Sequence, residues 1–416
     1  TDAGVTFTSQ YDTPATINLV ANDTVNAINS TSASTVTITP GAVATITVVT
    51  QPASQVTASG STTFTVSAVD QFGNTVADGT AITMSWRDGS APTNSGTPGG
   101  FTATTVYTTS GQATGTFTVS NYAGTSSANA DDFILTASAG TGTVDSNEIT
   151  VTPLTGAGNI GSFSMGLSSY TPTAGTAVTL TTTAKDTHGN VMWNWTGSIG
   201  ATNALQWSGP NPAPDGTTLS APSTLSFTNG VASASVTFYR AESTALTLNY
   251  NPTGVTPTFT VSAGPLHYYG VSNYISAQTV GETFSLTVTP YDTYGNVTTG
   301  SSTVNFNPVQ ANGTGPAPTG SLTIGTADTS SGPTIVNNII YNRPETIDIE
   351  ATDGSTTSTP SNTLDLTFAR TTKVASITVD QPAAAVNVEA GEDYTVKATA
   401  YDAYSNTCAS GTAISW

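Results

Sequence analysis

Cysteine is nearly missing: Cys408 stands alone in 416 residues, so no intrachain disulfide framework can staple the fold. A single cysteine reads as a small buried side chain rather than a reactive thiol. Basic residues are scarce too, 7 Lys and Arg against 26 Asp and Glu, a formal charge of −19. Such a chain has no electrostatic pull toward nucleic acid or an anionic membrane. Charged residues make up only 8% of the whole, which argues against an acidic disordered tail. No run of 18 apolar residues and no secretory signal occur, so the segment is expected to be soluble and mature, with no direct membrane insertion. Helical hydrophobic periodicity is absent as well, and that excludes an α-helical core.

What is present is a repeat. The turn DQFGN at Asp70 returns as DTHGN at Asp186, DTYGN at Asp292 and DAYSN at Asp402, at spacings of 116, 106 and 110 residues. Self-similarity at domain length means one domain type in series. A glycine precedes each Asp by ten or eleven residues, at Gly60, Gly175, Gly281 and Gly391. Between glycine and Asp the pattern alternates: Phe284, Leu286 and Val288 share one face, while Ser285, Thr287 and Thr289 share the other. Period two with β-branched residues is a half-buried strand. Behind each turn stands an aromatic, Trp86, Trp207, Phe306 and Trp416, expected to cross a sandwich core. Near-copies VATITVVTQP and VASITVDQP lead into the repeats, and paired strands such as FILTASA and NEITVTP close them. About seven short strands per repeat, separated by Gly, Pro, Asn and Ser, predict an all-β chain of tandem immunoglobulin-like β-sandwiches in an extended array.

Boundaries follow from the repeat. The expected domains are 43–158, 159–263 and 264–371, with 1–42 matching the last third of a repeat and 372–416 the first third of another. Two explanations stay open for the partial ends. The chain is a window on a longer array, or one chain's leading part completes another's trailing part by strand addition, giving a filament.

The strand, D-x-x-G-N turn, strand and aromatic, preceded by a strand ending in Q-P, resemble the bacterial Ig-like domains of invasin-type adhesins and of prokaryotic surface-layer proteins. The resemblance spans nearly the whole chain and implies an extracellular, cell-surface location with a role as stalk, lattice subunit or adhesive array. Ser405 departs from the pattern where the other turns have Gly, so the fourth turn is expected to be looser or differently wound.

Candidate chemistry is thin. His188 and His267 fall in different repeats, so no Ser/His/Asp or Cys/His set assembles locally, and no phosphate loop, dinucleotide fingerprint, HExxH or CxxC occurs. The alternating Asp348 and Glu350 read as a solvated strand edge. The chain is therefore read as non-enzymatic. Calcium is the cofactor to weigh, with turn residues Asp70, Asp186, Asp292 and Asp402, joined by Glu282 and Glu392, as oxygen donors. Against it, an Asp that opens a turn commonly caps its own backbone two residues on. Asn22, Asn29, Asn194, Asn296 and Asn312 each begin an N-x-[ST] sequon, with Asn296 and Asn312 expected at the surface.

Two roles stay in view at this stage. One is a structural unit of a self-assembling surface layer, sheath or fibre; the other is an adhesin stalk. The long insertions at 88–100, 208–222 and 307–320 differ between repeats and favour assembly. The Trp193, Asn194, Trp195 cluster offers glycan binding as a further reading, or packing at a domain junction.

Overall fold

A computed structural model describes residues 4–30, 33–90, 97–272, 277–358, 364–382 and 384–415. The chain is all-β, and its buried apolar residues gather into three separate cores, one within residues 43–151, one within 160–261 and one within 269–368. Each core lies between two sheets, so this is a series of sandwiches.

Alternation in sequence becomes alternation in burial. Strand Ser61–Val69 buries Phe64, Val66 and Ala68 and turns Ser61 and Thr63 outward. That strand sits between Thr45–Thr50 and Gln112–Val119 in a four-stranded sheet completed by Gly99–Phe101. The facing sheet runs Thr105–Tyr107, Ala81–Asp88, Asp132–Ala139, Gly142–Thr152 and Gln55–Thr57, the last pair parallel. Across the gap Phe117 stacks on Phe133 at 4.9 Å. Such an offset aromatic pair adds about 0.5–1.5 kcal/mol beyond its buried area.

The third sandwich repeats this plan with two four-stranded sheets. One orders Tyr268–Ser272, Phe284–Tyr291, Thr334–Tyr341 and Leu322–Thr323; the other orders Ala277–Thr279, Leu364–Ala369, Thr346–Thr352 and Asn305–Gln310. The expected inward set Phe284, Leu286 and Val288 is buried. The second sandwich is more broken, its main sheet Ile160–Leu167, Ala177–Asp186 and Val231–Thr237 facing short strands such as Gln206–Ser208 and Thr247–Asn249. Its core still closes on Leu180, Phe227, Phe238 and Leu248. Outside the three cores, Ala15–Leu19 pairs with Ser34–Ile38, and Ser376–Gln381 pairs with Lys397–Tyr401.

Several expectations change on contact with the fold. Phe306 is buried, but Trp86 and Trp207 are only half-buried at the margins of their cores, because Ile82, Met84 and Leu248 already fill the centre. Trp416 lies outside the described residues. Cys408 is partly exposed rather than buried. Asp348 is not on a solvated edge: the 311–313 turn folds over it, and the Asn312 N–H donates to its carboxylate at 3.0 Å, leaving it 2% exposed.

Candidate functional site: the junction node

The four recurring turns share one geometry. In the third, the Asp292 Oδ1 accepts the Tyr294 and Asn296 backbone N–H groups at 2.8 and 2.9 Å, and Gly295 takes φ +76°. The same pair of bonds, all 2.8–2.9 Å, forms at Asp70, Asp186 and Asp402. A short carboxylate closing its own backbone ring is why Asp opens the turn, and the positive φ is why Gly stands fourth. Ser405 corrects the expectation of a differently wound turn. It adopts φ +65°, and Asp402 makes the same turn-closing bonds to Tyr404 N–H, Asn406 N–H and the Asn406 amide around it. The carboxylate ring is strong enough to hold a serine in the left-handed region.

The other carboxylate oxygen reaches outward. Oδ2 of Asp70, Asp186 and Asp292 accepts the N–H of Gly41, Leu154 and Gly264 at 2.9, 3.0 and 2.7 Å, each in the segment leading into its own sandwich. It also accepts the turn Asn amide, at 3.0 Å from Asn74, Asn190 and Asn406 and 2.8 Å from Asn296. These donors hold the Asp70 carboxyl down at about 2, with the Gly41 N–H the leading cause. All four carboxylates are at most 5% exposed.

Each Asn then crosses to the preceding part of the chain. Asn190 Nδ2 donates to the Asn121 carbonyl at 2.7 Å and Asn296 Nδ2 to the Tyr239 carbonyl at 2.8 Å. Asn406 Nδ2 donates to the Asn342 carbonyl at 2.8 Å, and Asn74 Nδ2 reaches the Asp12 carbonyl at 2.6 Å. The return bonds run from Ala123 N–H to Asn190 Oδ1 at 2.9 Å and from Ala241 N–H to Asn296 Oδ1 at 2.8 Å. At the fourth node the corresponding residue is Pro344, which has no N–H to give. At the second and third nodes one buried Asp and one Asn therefore tie together a turn, a linker and the sandwich before it.

The third turn residue forms the other half of the contact. An added Cβ on Gly175 would stand 2.4 Å from the Tyr294 hydroxyl, and one on Gly281 would stand 2.9 Å from the Tyr404 ring. In the first sandwich the matching residue is Ser59, at φ +62°, whose Oγ lies 3.3 Å from His188 Nε2. The repeat glycine read at Gly60 thus belongs one residue earlier in structural register. Ser59, Gly175 and Gly281 each donate their N–H to a carbonyl, at Ser120, Phe238 and Tyr341, immediately ahead of the residue that accepts the next Asn. That receiving stretch, SNYA, FYRA and YNRP, carried a weak sequence signal in its aromatics. That signal does not show that the stretch receives the next turn's Asn.

The other candidates fall around these nodes. Asn296 corrects the surface expectation for its sequon: it is 4% exposed, and its amide nitrogen is held by Tyr239 and Asp292. Thr298, the sequon's hydroxyl residue, donates to the Gly264 carbonyl at 2.8 Å, so the triplet serves the junction. Asn22, Asn29, Asn194 and Asn312 are exposed. Trp195 is buried in the second core, and Trp193 sends its Nε1 to the Ala123 carbonyl at 3.3 Å across the junction. Glu282 pairs with Lys373 on the surface, Glu392 is exposed, and His188 is exposed beside Ser59. Among the described residues, no three His, Cys, Asp or Glu side chains converge as a metal cage.

No protein-family model and no curated protein matches this sequence. Solved structures that it resembles include an adhesin, a surface-layer protein and an integrin-binding protein. The adhesin FdeC of Escherichia coli matches at 20% identity over 80% of this chain and 100% of that one, with a TM-score of 0.36. Surface-layer protein SbsC, domains 1–6, matches at 16% identity over 95% of this chain and 48% of that one, with a TM-score of 0.24. Invasin, a bacterial integrin-binding protein, matches at 14% identity over 81% and 62%, with a TM-score of 0.32. The chain thus spans about half of the SbsC structure and under two thirds of invasin. With TM-scores this low, how the sandwiches are joined rests on the chain's own nodes.

Proposed function

We propose that this chain is a non-catalytic structural component of an extracellular cell-surface assembly, a layer, sheath or fibre built from sandwiches in series. Each of 43–158, 159–263 and 264–371 is one sandwich in this reading. The observation that carries it is the repeated buried Asp–Asn node, which spends its polar groups on joining successive sandwiches. Interdomain motion is the default for tandem domains, and buried paired hydrogen bonds across each of the two inner junctions restrain it here. A jointed rod of fixed geometry suits both lattice and stalk.

Lateral self-association separates the two. The insertions give the sandwiches unlike outer surfaces, which suits a lattice subunit with distinct neighbours, whereas the recurring nodes suit an adhesin stalk equally. Electron microscopy of the purified chain, with calcium and with chelator, is the test. Ordered sheets or fibres support assembly, and dispersed rods at all concentrations overturn it in favour of the stalk. Exposed Asn22, Asn29, Asn194 and Asn312 are the positions where N-glycans fit such a surface, read out by intact mass.

A further inference from the structure

The insertion at 208–222 does something the node does not require. It leaves the second sandwich after Gln206–Ser208 and is anchored there at both ends, by Trp207 Nε1 on the Pro222 carbonyl at 2.6 Å and by paired bonds between Ser220 and Thr237. Its interior is stiff. Pro210, Pro212 and Pro214 alternate, each with φ fixed, Asp215 caps the Thr217 N–H at 2.8 Å, and Asn211 Oδ1 accepts the Leu219 N–H at 2.7 Å.

The tip of this loop lies against the third sandwich. The Asp215 N–H donates to the Tyr294 carbonyl at 3.2 Å, and Pro214 packs so close to Gly295 that an added Cβ there would stand 3.2 Å from it. Tyr294 and Gly295 belong to the node turn itself. Behind the loop, Arg240 donates to the Pro212 carbonyl at 3.4 Å, and Tyr239 packs on Tyr294 at 4.9 Å. A cleft of about 560 Å³ runs between loop and node, lined by Pro212, Pro214, Arg240, Gly295 and Val297. The long insertion of the third sandwich behaves differently: Asn312, Thr319 and Gly320 bond to Asp348 and Glu345 of their own sandwich.

We infer that the 208–222 loop is a brace which stiffens the junction between the second and third sandwiches from outside the node. A proline-stiffened loop clamped at its base resists bending of this node turn from outside, in addition to the Asp–Asn pair that resists from within. Its occupant is intramolecular, so the inference is independent of whether the chain serves as lattice or stalk.

The experiment is spin-label distance measurement in the Cys408→Ser background. Label pairs go at Thr181→Cys with Thr303→Cys for the braced junction, and at Thr63→Cys with Thr181→Cys for the junction between the first and second sandwiches, all exposed positions. The test variant replaces residues 210–218 with a short Gly/Ser turn, leaving the Trp207 and Ser220 anchors in place. Removing the brace should widen the distance distribution across the braced junction about two-fold and leave the other unchanged. Unchanged widths at both junctions, or equal broadening at both, would overturn the inference. Should the shortened chain not fold, Asp215→Pro removes the crossing N–H together with the Thr217 cap, Asp215→Ala removes the cap alone as its control, and the difference between them is judged by the same two outcomes.

Discussion

Replacing Asn296 with Ala is the most direct challenge to the node. The side chain makes three bonds of 2.8 Å, to the Tyr239 carbonyl, from the Ala241 N–H and to the Asp292 carboxylate, and it is 4% exposed. Neutral hydrogen bonds net about 0.5–1.5 kcal/mol each and one to a charged group about 1.5–3, so two of the first kind and one of the second total about 2.5–6 kcal/mol before water enters the vacated space. Water at the junction rescues part of this, and about 3 kcal/mol is expected. For a sandwich of this size, each kcal/mol moves the melting temperature by about 4 °C or more, so the calorimetric transition should fall by about 12 °C or more. Asn296→Asp is the sharper companion. An ionised Asp cannot donate to Tyr239 and sets a second carboxylate beside Asp292, so it should be worse than Ala at neutral pH and recover in acid. Exposed Asn307, whose amide reaches Glu350 at 3.4 Å, is the control. If Asn296→Ala melts within about 2 °C of the parent, the node contributes little and the rod argument fails.

Other consequences are checked on the same instruments. Gly175→Ala meets both a Tyr294 clash and φ +81°, and should cost about 1–3 kcal/mol by denaturant titration. Thr182 is fully buried with its hydroxyl unpartnered, so Thr182→Val should stabilise the second sandwich by about 1 kcal/mol, and a loss would mean an unseen partner. The lowered Asp70 carboxyl adds stability that is complete above its ordinary value of 3.8 and disappears as pH falls toward 2. Thermal melts should therefore drop across that window, and Asp70→Asn should flatten the drop. Because N–H donors already face the turn carboxylates, the melting temperature is expected to be equal in calcium and in chelator. A calcium-dependent rise would make those Asp residues metal ligands.

Much of the architecture was legible in one dimension. Phe64, Val66 and Phe284, Leu286, Val288 announce their strands because a pleated strand turns alternate residues to opposite faces, a rule local to the chain. The turn motif was legible for the same reason, since Asp292 bonds to residues two and four positions on. Ser405 misled because composition alone cannot say that a capped ring will hold a non-glycine at positive φ.

The junction was not legible. Asn190 and Asn121, or Asn296 and Tyr239, stand 69 and 57 residues apart, and no local pattern pairs them. Sequence by itself determined that sandwiches recur, where the strands alternate and that an Asp closes each turn, because these are consequences of backbone periodicity and short-range hydrogen bonding. Only the tertiary structure decided that the second carboxylate oxygen and the Asn amide face the preceding sandwich, that a sequon is buried there, and that one insertion braces one junction. Those follow from which surfaces meet when whole domains dock, and nothing in a strand's own period encodes that.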